Sequence, residues 1–272
     1  MAAVNPPKEP ASRVDPMATR AEMLERVRRA LQKSESGPPP AAMPALELDG
    51  VMPFVAPEDY LPKFESEWEK VGGVSYQVTT ADELEAVFEK ILVLAETQAI
   101  VLSRNPLLAR LGIAQRLAKL DKFVTTWGTA PGSTGTDSLS DFSKASFEAG
   151  SGITGVDFVL AESGTLVLSS ATEGVQVASL APAIHIALYR RSQLVGSLDE
   201  VLAKLRLAAS PNQAAGGRSV VFVTGTSRTA DIEQILIRGV HGPREVHAIL
   251  VEDSCLDTVW TADAEGGLTK AV

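Results

Sequence analysis

Cysteine is nearly absent from this chain; Cys255 is the only one. An internal disulfide is therefore excluded. So is an iron–sulfur cluster held by this chain alone, which needs about four thiolates. Histidine is almost as scarce. With only His185, His241 and His247 available, a histidine-rich metal cage is not expected and no metal site is assigned. Bases are outnumbered, 25 against 34 acids for a net charge of −9, so the basic stripe of a nucleic-acid binder is missing. Long apolar runs are missing too. Gly174 to Tyr189 is uncharged but holds Pro182 and His185, and it falls short of the ~20 apolar residues of a membrane span. The N-terminal residues lack the charged-then-apolar pattern of a signal peptide. A soluble, cytoplasmic protein without a transmembrane segment is the expectation.

What is present suits an ordered domain. Hydrophobic residues make up 45% and charged residues 22% of 272, enough for one large core. Residues 1–16 carry four prolines and almost nothing to bury, which predicts a disordered tail. From Met17 to about Lys33 the spacing of Met17, Ala21, Leu24, Val27, Ala30 and Leu31 predicts an amphipathic helix, ended by Gly37-Pro38-Pro39-Pro40. Segment 1–44, with seven bases and five acids, is thus an arm on a more acidic body, residues 45–272. The helix is expected to pack on that body or on a second subunit, rather than on a membrane surface.

The body alternates between helical and extended patterns. Helix is expected at 57–71 (Tyr60, Phe64, Trp68), from Thr80 through Leu92, within 107–120 and at 198–207. Strands are expected at 74–78, 100–102, 123–127, 185–189, 220–223 and 246–251. This rhythm implies an α/β fold with an open, mostly parallel sheet. Residues 157–161 and 165–169, separated by Glu162-Ser163-Gly164, add an inserted β-hairpin on or beside that sheet. Gly128–Ser140 is too rich in Gly, Ser and Thr to be regular structure for long, and Ser210–Gly217 reads as a loop.

Several residue groups could carry chemistry. Val220–Val223, read as a central strand, runs into Gly225-Thr226-Ser227-Arg228-Thr229-Ala230-Asp231 and then an expected helix to about Arg238. A helix N-terminus presents free N–H groups and a partial positive charge, and Arg228 adds a bidentate donor. Gly225, Ser227, Arg228, Thr229 and Asp231 are accordingly a candidate anion site; the competing reading is a simple cap, with Thr229 closing the helix and Asp231 complementing its dipole. Glu162 on the hairpin tip could act as nucleophile or general base, or be a solvated turn residue. His241, followed by Gly242-Pro243, could be aimed into a cleft, and His185 is a weaker candidate. Cys255 has no basic neighbour in sequence and reads as packed rather than reactive.

These residues also carry a resemblance. Glu162-Ser163-Gly164-Thr165-Leu166-Val167-Leu168 comes first. Ser179-Leu180-Ala181-Pro182 with His185-Ile186 follows, then Gly225 to Glu233, then Gly239-Val240-His241-Gly242-Pro243. In this order and spacing they resemble the LUD-domain family, in its lactate-utilization protein C branch. Ser163 stands where that family usually has threonine, Thr226 where it often has proline, and Gln176 where arginine is expected. The resemblance implies the fold shared by glucosamine-6-phosphate deaminase, ribose-5-phosphate isomerase and coenzyme A transferases. It implies a role in oxidising L-lactate to pyruvate beside two partner proteins that carry the iron–sulfur clusters, this chain holding no cofactor of its own. The same fold relationship supplies an alternative, an acyl- or coenzyme A-transferring enzyme with Glu162 as nucleophile.

Overall fold

The computed structural model describes residues 19–35, 55–94, 98–128, 134–208, 219–229, 237–239, 241–256, 260–262 and 268–270. Contacts divide the chain into two units, Met1–Met52 and Pro53–Val272. The first unit holds one helix, α1 (Arg20–Glu35). Thr19 and Glu22 cap it reciprocally: the Glu22 carboxylate accepts from the Thr19 N–H (2.7 Å) and the Thr19 hydroxyl accepts from the Glu22 N–H (3.4 Å). Its Met23, Leu24, Val27 and Leu31 are exposed.

In the second unit a 3-10 turn leads into α2 (Tyr60–Lys70), followed by β1 (Val74–Val78) and α3 (Ala81–Leu94). Next come β2 (Ala99–Leu102), α4 (Pro106–Arg110), α5 (Ile113–Lys119), β3 (Phe123–Trp127) and β4 (Thr134–Thr136). Helix α6 (Leu139–Glu148) returns the chain to β5 (Ser151–Thr154). The hairpin β6 (Phe158–Leu160) and β7 (Thr165–Ser169) follows, then two single turns, α7 (Ser170–Glu173) and α8 (Val177–Leu180). Strand β8 (Ile184–Tyr189), β9 (Leu194–Val195), α9 (Leu198–Ala208) and β10 (Val220–Val223) come next. Short β11 (Arg228–Thr229) and β12 (Ile237–Arg238) precede β13 (Glu245–Val251), and β14 (Trp260–Ala262) pairs with β15 (Leu268–Lys270).

The main sheet has seven strands in the order β1-β13-β8-β5-β2-β3-β4, and every pairing in it is parallel. Parallel sheets need cover on both faces. Alternate residues of one strand serve the two faces: Ile186, Leu188 and Ile249 join Leu84, Phe88, Ile91 and Leu117, while Ala187, Tyr189 and Leu250 join Phe64, Trp68, Leu166 and Leu168. One face is thus covered by α3 and α5. The other is covered by α2 and the β6–β7 hairpin.

The hairpin lies beside the main sheet, as expected, in a second, four-stranded one of order β10-β7-β6-β9. The sequence reading needs two corrections here. Val220–Val223 is not central. It is the edge of that second sheet, antiparallel to β7, and Val220 and Phe222 remain exposed. The helix expected at 230–238 does not reach Arg238, because Ile237–Arg238 is extended and pairs antiparallel with Arg228–Thr229; residues 230–236 lie outside the described residues. The expected loop at 210–217 also falls outside them.

The chain path places one switch point. From β2 it moves outward through β3 to β4, then returns to β5 and continues the opposite way to β8 and β13. The direction reverses between β2 and β5, where open α/β sheets form their ligand crevice beyond the strands' carboxyl ends.

Candidate functional site

The loop after β10 is seated on the end of α2. Gly225 has φ +80°, and a methyl group on it would lie 2.3 Å from the Val71 carbonyl oxygen, so only glycine fits. The buried Thr226 donates its N–H to that same oxygen (3.3 Å). Its hydroxyl accepts from Arg228 Nε (3.3 Å), which folds the guanidinium back over Gly72. The Ser227 N–H donates to the Pro243 carbonyl (2.9 Å), the Ser227 carbonyl accepts from the Gly239 N–H (3.0 Å), and Gly242 lies against the Ser227 side chain. The two loops therefore meet. Gly225, Ser227 and Arg228 share one neighbourhood with the 239–243 loop, which holds an exposed His241. The backbone of Thr229 continues from there into β11, and Asp231 lies outside the described residues. With Arg228–Thr229 extended, the donors that the described residues offer an anion here are the Arg228 guanidinium and the Ser227 hydroxyl.

Glu162 faces elsewhere. Its Oε1 accepts from the Leu198 N–H (2.8 Å), so the carboxylate caps the start of α9. The hairpin tip itself rests on α2, where Gly164 (φ +61°) leaves no room for a methyl beside the Trp68 N–H, 2.5 Å away. A chain of hydroxyls, Ser163–Thr165–Thr224, ties the tip to the 225 loop at 2.8 Å per step. Even so, no hydrogen bond or ion pair joins the Glu162 carboxylate to Ser227, Arg228 or His241 among the described residues. His185 is a core residue of β8, fully buried, with Nε2 2.8 Å from the Thr154 hydroxyl. Burial and then the nearby His247 hold its pKa down to about 3, so the imidazole is neutral. Cys255 is buried, and burial pushes its thiol pKa up.

A second constellation, not among the residues singled out from the sequence, sits at the switch point. Glu173, at the end of α7, is fully buried. Its carboxylate accepts from the Ser103 hydroxyl (2.5 Å), the Gly155 N–H (3.0 Å) and the Asn105 side-chain amide. Ser103 and Asn105 directly follow β2, and Gly155 follows β5, so the two strands flanking the reversal are joined through one carboxylate. Burial raises the Glu173 pKa above the ordinary carboxylate value. The bonds from Ser103 and Asn105 pull it down by less, nearby Asp157 raises it, and the Gly155 bond lowers it slightly. Asn105 also caps α4, its Oδ1 accepting from the Leu107 N–H (2.9 Å). Beside this network a cavity of about 190 Å³ opens between the carboxyl ends of β2 and β3. Ser103, Arg104 and Asn105 line one side; Leu108, Ala114, Thr126 and Trp127 line the rest. One sequence signal could have pointed here: Glu173 is the only Asp, Glu, Lys or Arg between Gly164 and Tyr189. Among the described residues no group of three or more His, Cys, Asp or Glu could hold a metal ion, and no helix is long and apolar enough to cross a membrane.

A seven-stranded parallel sheet with a switch-point crevice and a second sheet layered on it defines an open α/β protein with a site at the strands' carboxyl ends. Residues 61–251 match the LUD domain model, and the chain belongs to the LUD-domain family. Lactate utilization protein C of Halalkalibacterium halodurans is 31% identical over 175 residues, covering 64% of this chain and 72% of the relative. Uncharacterized protein YkgG of Escherichia coli K12 is 32% identical over 159 residues, covering 57% of this chain and 64% of its own length. Lactate utilization protein C of Deinococcus radiodurans is 36% identical over 100 residues, which is 36% of this chain and 45% of that protein. A crystal structure of a DUF162 family protein from Deinococcus radiodurans covers 73% of this chain and 99% of its own, at 23% identity and a TM-score of 0.49.

Proposed function

We propose that this chain is the non-iron-sulfur component of an L-lactate utilization system, working in the cytoplasm. Two iron–sulfur-carrying proteins would supply the redox chemistry of converting lactate to pyruvate. The observation that carries this reading is the match over the LUD domain to relatives named lactate utilization protein C. The cysteine count supports it, since Cys255 alone cannot hold a cluster. On this reading the face formed by the 225–228 and 239–243 loops holds a small anion or a partner subunit. Arg228 and Ser227 are the contacting donors, Gly225 sets the turn, Thr229 and Asp231 are the further candidate anion contacts next in sequence, and His241 lies at the rim. Glu162, given a possible catalytic role from its motif, keeps its carboxylate on the Leu198 N–H and contributes to this face only as part of the hairpin beside it. The test is calorimetric titration of L-lactate, pyruvate and inorganic phosphate into the wild type and Arg228→Ala. Loss of a charge-assisted contact should weaken binding by roughly ten- to a hundred-fold. The fold should survive, because Arg228 is exposed. Equal affinities in the two proteins, or no binding to either, would refute the anion site.

A further inference from the structure

The cavity between the ends of β2 and β3, beside the switch point, carries features that select a ligand. Arg104 is the only charged residue among those that line it. Its guanidinium donates to the Ala171 carbonyl (3.2 Å) and has no acidic partner among the described residues. Its stem is held in place at Gly174, whose φ is +79°. A methyl there would lie 3.2 Å from Arg104 Cδ and 2.2 Å from the Trp127 indole, so the missing side chain lets the two converge. A lone, unneutralised guanidinium selects an anion, and its planar fork matches a carboxylate. The remaining lining combines apolar Leu108, Ala109 and Ala114 with the polar Gln115 and Thr126.

Between these sit Ser103 and Asn105, each more than nine-tenths buried. Glu173 fixes both. The Ser103 hydroxyl hydrogen is committed to the carboxylate and its oxygen accepts from the Asn105 N–H (3.4 Å), which leaves one lone pair as an acceptor. Asn105 spends Oδ1 on Leu107 and one amide hydrogen on Glu173, leaving the second amide hydrogen free to donate. The cavity, about 190 Å³, is below the ~300–1,000 Å³ of pockets that enclose drug-sized molecules, so a nucleotide or acyl thioester is too large for it.

We propose that this cavity binds a short-chain carboxylic acid, its carboxylate on Arg104, its body against Leu108 and Ala114, and any oxygen substituent read by Ser103 and Asn105. Glu173 is a positioning residue. It holds the two readers without touching the ligand. This site is separate from the 225–243 face and does not depend on the lactate reading.

The experiment is titration of butyrate, with butyramide as its neutral counterpart, followed by calorimetry and tryptophan fluorescence. Butyrate should saturate the wild type and butyramide should not. Arg104→Ala should weaken butyrate by about tenfold or more, consistent with the loss of one charge-assisted bond. Lys144→Ala, an exposed position on α6 that lines neither this cavity nor the 225–243 face, should leave butyrate binding unchanged. Arg104→Gln serves as a second variant if the alanine protein does not fold. Equal binding of butyrate and butyramide, no saturation of the wild type, or unchanged affinity in the folded Arg104 variant would overturn the proposal.

Discussion

Replacing Glu173 tests the network at the switch point. In Glu173→Ala, three buried donors lose their acceptor at once: the Ser103 hydroxyl, the Asn105 amide and the Gly155 N–H. Each orphaned donor costs ~1–3 kcal/mol, partly offset because a buried charge is no longer desolvated, so a net loss of about 3–6 kcal/mol is expected. Glu173→Gln is milder. Its carbonyl oxygen can still accept from Ser103 and Gly155, but its amide meets the Asn105 amide, donor against donor, for a loss of about 1–3 kcal/mol. The pH dependence gives an independent sign. Burial sets the folded pKa of Glu173 above its ordinary value of 4.5, so the unfolded chain releases the proton first as pH rises. The wild type therefore loses stability between 4.5 and the raised folded pKa, and that loss disappears in Glu173→Gln. Urea unfolding of the three proteins from pH 4.5 to 8 measures both effects. A loss below about 1 kcal/mol in Glu173→Ala, or parallel pH profiles for wild type and Glu173→Gln, would refute the reasoning.

Two further outcomes follow from the same physics. His185 stays neutral in the fold down to about 3, so the unfolded chain alone takes up a proton as pH falls below about 6.5. Stability should then fall with decreasing pH across that window by up to ~1.4 kcal/mol per pH unit; His185→Gln should flatten the curve, and an unchanged slope would contradict it. Glu162→Ala should cost roughly 0.5–2 kcal/mol by uncapping α9, while hydroxylamine should trap no acyl group on Glu162 after incubation with acetyl-coenzyme A. A trapped acyl group would favour the transferase reading.

Strands and helices with strong local patterns were legible in the sequence. Val74–Val78 and Phe123–Trp127 have the expected bounds, and the helix on Phe64 and Trp68 buries those rings. Strand β5 was not legible, because Ser-Gly-Ile-Thr is a weak β pattern. Gly152 is there so that α8 can approach; a methyl on it would lie 1.8 Å from the Ala178 carbonyl oxygen. Val220–Val223 misled for the opposite reason. Four apolar residues suit a buried central strand, yet here they extend the hairpin sheet as an exposed edge. At the site, the 225 and 239–243 motifs were legible because glycines mark their turns. The Glu173 network was not: Ser103 and Glu173 are 70 residues apart, and only the crossing from β4 back to β5 brings their segments together.

The proposed role itself is tested most directly by L-lactate oxidation in extracts of cells lacking this chain, grown with lactate as the inducing substrate. The extracts should not oxidise lactate, and adding back the purified chain, itself colourless and inactive on lactate, should restore the rate. Oxidation at the wild-type rate without the chain, or turnover of lactate by the purified chain alone, would contradict its assignment as the non-redox component.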